Sequence, residues 1–165
     1  MYDNMTTSIT TPVIVENQSF LSPVSFKLTI GNDAAPNVAF FCTGCNLPGV
    51  RVPEVTTNFR GHQGFMPGDK LTYESLSVRF MIDEAMTNYQ EILKWLVSHA
   101  SNPGKPNVKD LTLAVMTGKN TINAQIKFVN AFPTSLSPIE FFAQSTDIEY
   151  VTGTVTFRYD YFEVL

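Results

Sequence analysis

Residues 150 to 164 read YVTGTVTFRYDYFEV. Val151, Val155, Phe157, Tyr159 and Tyr161 fall on one side of an extended chain, with Thr152, Thr154, Thr156, Arg158 and Asp160 on the other. Such alternation is the mark of a strand with one face buried, here an unusually long one. The same period returns elsewhere. In VSFKLTI (24 to 30), Val24, Phe26, Leu28 and Ile30 oppose Ser25, Lys27 and Thr29. SLSVRFMI (75 to 82) sets Leu76, Val78, Phe80 and Ile82 against Ser75, Ser77 and Arg79. DLTLAV (110 to 115) and INAQIKF (122 to 128) follow suit.

Against these strands stands a single helical period. Tyr89, Ile92, Leu93, Leu96, Val97 and Ala100 recur at steps of three and four within NYQEILKWLVSHA, which predicts a helix over 87–101 covering one sheet face. Thr87 and Gln90 have the spacing of a capping box, and Asn102-Pro103-Gly104 closes the segment because proline cannot continue a helix. The expected fold is mainly β: a sandwich or barrel of about six to seven antiparallel strands with one flanking α-helix. No internal repeat is present, and 165 residues make a single domain, 1–165. Two segments read as irregular: an N-terminal arm, 1–21, and a loop at 47–70 rich in proline and glycine. Long irregular stretches inside a compact domain commonly serve a partner.

The first twenty residues contain no basic cluster followed by an apolar run, so neither a secretory leader nor a membrane span is expected, and no membrane insertion. A net charge of −4 gives no general attraction to nucleic-acid phosphates, which require clustered Lys and Arg.

The two cysteines, Cys42 and Cys45, lie in FFCTGCNLPG (40 to 49), spaced C-x-x-C. Cys42 shares the face of Val38 and Phe40 in the run VAFFCT, which points to a buried, inert thiol. A zinc site lacks its other ligands, since His62 and His99 are not spaced as a finger requires. A redox pair belongs at a helix N-terminus, whereas this one leaves a strand for an Asn-Leu-Pro-Gly turn. His99 falls in the last helical turn, where a cation complements the dipole, and Asp83 and Glu84 read as acids favouring the helix start. No nucleophile-elbow, phosphate-loop or zinc-protease motif occurs, so neither an enzyme nor a cofactor is expected.

Lys27, Arg79, Lys127 and Arg158 project from polar strand faces against one acid, Asp160. A stripe of this kind raises the alternative of a single-strand nucleic-acid-binding β-domain. Phe26, Phe80, Phe128 and Phe157, however, sit on the opposite, core-facing register and are not placed to stack bases.

The order of parts is distinctive: FFCTGCNLPG, a long loop ending MPGDKLTYESLSVRF, then IDEAMTNYQEILKWL, IKFVNAFPTSLSPIEF and TGTVTFRYDYFEV. It resembles the tail tube proteins of contractile-tailed bacteriophages, over about Ser22 to Val164. Cys42 matches a cysteine frequent in this strand of the family, and Leu47-Pro48-Gly49 the turn that launches its long loop; Cys45 falls outside the pattern and leaves a bond between thiols open.

The resemblance implies a sandwich flanked by a helix, shared with the type VI secretion tube, whose hexameric rings stack into the inner tail tube. It implies a structural virion protein assembled in the host cytoplasm, with sheath around it and baseplate and tail terminator proteins at its ends. Double-stranded DNA would pass without sequence-specific binding, and a baseplate tube-initiator or adaptor ring of the same fold is the near alternative. If each subunit of a hexamer gives four strands to an inner barrel, ~24 strands at ~4.8 Å and ~45° tilt enclose a wall ~50 Å across, with ~40 Å free inside. Strand edges would then pair between subunits instead of aggregating. Ring stacking needs a head-to-tail surface, expected from the 47–70 loop through Val50, Phe59, Phe65 and Met66 as anchors and Arg51, Glu54, Arg60, His62, Asp69 and Lys70 as polar partners.

Overall fold

A computed structural model describes residues 24–31, 38, 39, 41–101, 104–119, 121–141 and 150–165. The expected N-terminal arm, Phe40 and the Asn102-Pro103 helix stop lie outside the described residues.

The alternating segments form the expected strands. They are β1 (Phe26–Ile30), β2 (Cys42–Asn46), β7 (Leu76–Met81), β8 (Lys109–Met116), β9 (Ile122–Leu136), β10 (Thr152–Arg158) and β11 (Tyr161–Val164). All pair antiparallel in one seven-stranded system ordered β1-β8-β9-β10-β7-β2, with β11 also on β9. The apolar halves of these strands meet in one core that includes Phe80, Phe128, Phe157, Leu28, Leu76, Leu111, Val78 and Val155. The mainly β fold with one flanking helix is thus as expected.

The longest strand is not the closing one. β9 runs for fifteen residues, and the 150–164 stretch is cut into β10 and β11 on either side of Tyr159 and Asp160. The cut lies opposite a bend in β9. Asn130 takes a left-handed conformation (φ 54), and the buried side of β9 changes from Ile126 and Phe128 to Ala131 and Pro133. The first half of β9 therefore pairs with β8 and β11, and its last residues pair with β10. Across the break in the closing stretch the parity flips too, so Tyr161 is exposed and Phe162 packs on the core in its place.

The helix, α1 (Thr87–Ser101), covers the core with Asn88, Ile92 and Trp95. Leu93, Val97 and Ala100, expected inside, face out. The buried stripe is rotated because the Trp95 indole reaches across, its Nε1 donating to the Asn107 carbonyl at 2.7 Å and its ring lying 5.8 Å from Phe157. In place of a Thr87–Gln90 capping box, the helix start is held by Asp83 and Asn88. Asn88 N donates to Asp83 Oδ1 at 3.2 Å, and Asn88 Nδ2 donates to the Met81 carbonyl at 2.7 Å. Val38 is helical, not part of the strand that carries Cys42.

Candidate assembly surfaces

Most of the 47–70 segment is a β-ribbon, not an irregular loop. β3 (Val50–Arg51) pairs with β6 (Thr72–Tyr73), and β4 (Glu54–Phe59) pairs with β5 (His62–Pro67), antiparallel throughout. These ladders continue the β2–β7 pair, whose register runs Cys45↔Val78, Asn46↔Ser77 and on to Val50↔Tyr73 and Arg51↔Thr72. The outcome is one two-stranded arm projecting from an end of the sheet. Its sequence hid the strands because both faces of the outer ladder are exposed, so no apolar alternation is demanded. Beyond Arg51 and Thr72 the returning chain carries two extra residues, and the arm closes again through Gly68 N donating to the Pro53 carbonyl at 2.7 Å. A Cβ at Gly68 would lie 2.5 Å from that oxygen, so only glycine allows the approach.

The expected stacking residues are all carried by this arm or its root. Val50, Arg51, Glu54, His62, Phe65, Met66, Asp69 and Lys70 are exposed, Arg60 stands in the tip turn, and the backbone of Phe59 pairs with His62. Val55, absent from the sequence-based set, is exposed and pairs directly with Met66, forming an apolar step.

The root is anchored by the end of β10. Arg158 Nη1 donates to the Tyr73 carbonyl at 3.4 Å, and Tyr159 Oη donates to the Glu74 carbonyl at 2.8 Å. Burial pushes the Tyr159 phenol up to about 12. Its ring belongs to an aromatic set with Tyr73, Phe128 and Phe162, at centroid distances of 6.0, 5.0 and 6.2 Å.

The basic residues do not form one stripe. Lys27 and Lys127 lie on the sheet half built from β1, β8, β9 and β11, whereas Arg79 and Arg158 lie on the half built from β2, β7 and β10. Lys127 is met by Asp110 at 3.0 Å, and this ion pair holds the carboxyl low and the ammonium high. Asp160 accepts from Asn130 Nδ2 at 2.7 Å, and Asn130 N donates to Asp110 Oδ1 at 3.2 Å, so the two aspartates clamp the bend of β9. Arg79 faces a shallow depression of about 820 Å³ lined by Thr43, Asn46, Ser77, Thr152 and Thr154. Phe80, Phe128 and Phe157 are fully buried, which removes them as base-stacking platforms.

Both thiols are free. A bulge between Cys42 and Gly44 turns residues three apart onto the same side, so Cys42 and Cys45 both pack on the core. Burial raises both, Cys45 to about 12. No group of three metal-ligating side chains occurs among the described residues. The His99 ring packs on Phe132 at 5.7 Å, and among the described residues its shielded Nε2 has no hydrogen-bond partner.

Residues 6–165 match the phage tail tube protein family. The chain belongs to that family. Among curated relatives, the tail tube terminator protein of Enterobacteria phage T4 is 28% identical over 129 residues, spanning 72% of this chain and 73% of that one. Among solved structures, a chain of the sheath/tube terminator of the PVC extracellular contractile injection system superposes with a TM-score of 0.71 at 20% identity, covering 90% of this chain and 99% of that one. A chain of the PVC sheath-tube complex gives 0.70 at 18% identity, covering 90% and 93%. Tail tube family members and these neighbours are structural tail proteins and not enzymes, and this chain has a structural role in a phage tail. No helix among the described residues is long and apolar enough to cross a membrane.

Proposed function

We propose that this chain forms a hexameric ring that terminates the tail tube of a contractile-tailed phage. The observation that carries the placement is the 28% identity across 129 residues with the T4 tail tube terminator. The fold supports the ring. β1, β2 and β11 each leave one edge without a strand among the described residues, and pairing those edges between copies satisfies backbone groups that would otherwise invite uncontrolled association. The arm supplies the stacking element, reaching past the sheet with exposed apolar groups at Val55, Phe65 and Met66. Sheath surrounds the tube, baseplate proteins occupy its far end, and double-stranded DNA passes without sequence-specific contacts. The Lys127–Asp110 pair locally neutralises one of the bases on the polar faces, as a passage for a polyanion requires.

A second reading, rings that build the body of the tube, is favoured by the 0.70 TM-score to a chain of the PVC sheath-tube complex. Copy number separates the two. Quantitative mass spectrometry of purified particles is expected to give one ring's worth of this chain per tail, with gold-labelled antibody at one end only. Copies scaling with tail length would assign the chain to the tube body.

A further inference from the structure

The half of the sheet built from β2, β7 and β10 turns a polar face away from the core, and the charge balance of that face is one-sided. Strands β2, β7, β9 and β10 together hold none of the chain's 15 aspartates and glutamates, although the chain is acidic as a whole. Arg158, at the end of β10, is turned to the root of the arm through the Tyr73 carbonyl. Arg79, on the central strand of the three, is exposed, and among the described residues no carboxylate lies within ion-pair distance of its guanidinium.

The groups around Arg79 are neutral donors. Register sets Thr154 of β10 on one side of it and Gly44 of β2 on the other. A Cβ at Gly44 would stand 3.7 Å from the Arg79 Cβ, so a glycine there leaves the depression open beside the arginine stem. Ser77, Thr152 and Thr154 bring hydroxyls to the same depression, and Asn46 an amide. A guanidinium presents its N–H groups as a planar fork that fits two oxygens of a phosphate, and short hydroxyls complete such a contact without adding charge. The depression is shallow, a shape that suits the edge of a long polyanion better than a small molecule, which binding sites enclose.

We propose that Arg79, with Ser77, Thr152 and Thr154, contacts a backbone phosphate of double-stranded DNA in the channel of the ring, so that the ring holds the passing genome by charge as well as surrounding it. The inference rests on the ring reading above and adds to it that this half of the sheet faces the channel. Phosphate contacts carry no sequence information, and the burial of Phe80 and Phe157 leaves the bases unread.

The test titrates the purified full chain with a short mixed-sequence DNA duplex between about 50 and 200 mM salt, read by fluorescence anisotropy. Arg79→Gln is expected to weaken binding about tenfold and to reduce the slope of log affinity against log salt by about 1, whereas Lys105→Gln, at an exposed position after α1, is expected to bind like the wild type. Equal losses in both variants, or none in Arg79→Gln, overturn the proposal, as does a preference for single strands that Tyr150→Ala abolishes, since Tyr150 also lines the depression. In virions during genome release, photoreactive azidophenylalanine in place of Thr154 is expected to link the chain to DNA, and the same label at exposed Ser101 on α1 is not. A link from position 154 to another tail protein overturns the channel-facing placement. Silence at 154 in tails whose ring is visible by electron microscopy overturns this inference alone, and absence of the chain from tails overturns the ring reading itself.

Discussion

Tyr159 and Glu74 stand 85 residues apart in the chain, and the phenol of one donates to the carbonyl of the other at 2.8 Å. This bond ties the break between β10 and β11 to the root of the arm, where Glu74 N also donates to the Gly49 carbonyl at 3.1 Å. The root of the arm is thus tied to the same aromatic set that packs on the core.

Tyr159→Phe removes the bond and keeps the ring. The expected loss is about 1 kcal/mol of stability, measured by denaturant unfolding, with faster amide exchange over Gly49 and Glu74. The pH dependence has a definite sign. The fold holds the neutral phenol and raises its pKa from the usual 10.0 to about 12, so this stabilisation is complete below pH 10 and is lost as pH climbs toward 12. The wild type is expected to lose stability more steeply than the Phe variant across that window.

Asn88 is wholly buried and uses its side chain twice as an acceptor, from Asp83 N at 3.4 Å and Tyr89 N at 2.8 Å, besides donating to Met81. Asn88→Ala strands these backbone groups under the helix. A loss of about 2 to 4 kcal/mol is expected, visible as a lowered melting temperature, whereas Thr87→Ala is expected to change little.

Deleting residues 60 to 66 removes the tip turn and β5 up to Met66, so β4 loses its partner and the outer ladder cannot form, while the core strands are untouched. The shortened chain is expected to keep its circular dichroism spectrum and to fail to join rings. Gly68→Val is a subtler version, since its side chain would collide with the Pro53 carbonyl and splay the ladder. Normal stacking by either variant, seen by electron microscopy, would place the joint elsewhere.

Cys45, pushed up to about 12 by burial, is expected to resist iodoacetamide at pH 8 in the folded protein and to react promptly in denaturant. Equal rates in both conditions would show that the thiol is not held against the core.

Reading the sequence recovered the strands that bury one face, because a buried face forces apolar groups onto every second residue and leaves a local record. Leu28 and Ile30, Leu76, Val78 and Phe80, and Val155 and Phe157 are all buried as their spacing demanded. The helix was legible too, but not its facing. Ile92 and Leu93 belong to neighbouring stripes of equal apolarity, and only the reach of Trp95 toward Phe157 and Asn107 decides between them.

By itself, then, the sequence determined a single-helix β architecture and the order of parts by which the tail tube family resembles it, since both depend on residues near one another along the chain. Tertiary structure decided the rest. The bend at Asn130 depends on Asp110 of β8 and Asp160 in the break between β10 and β11, which reach it from 20 and 30 residues away in the chain. The arm's ladder is built from backbone bonds between exposed residues, which impose no apolar period. The arm's place at one end of the sheet exists only once β2 and β7 lie side by side, because the ladder it continues belongs to the pair and not to either segment.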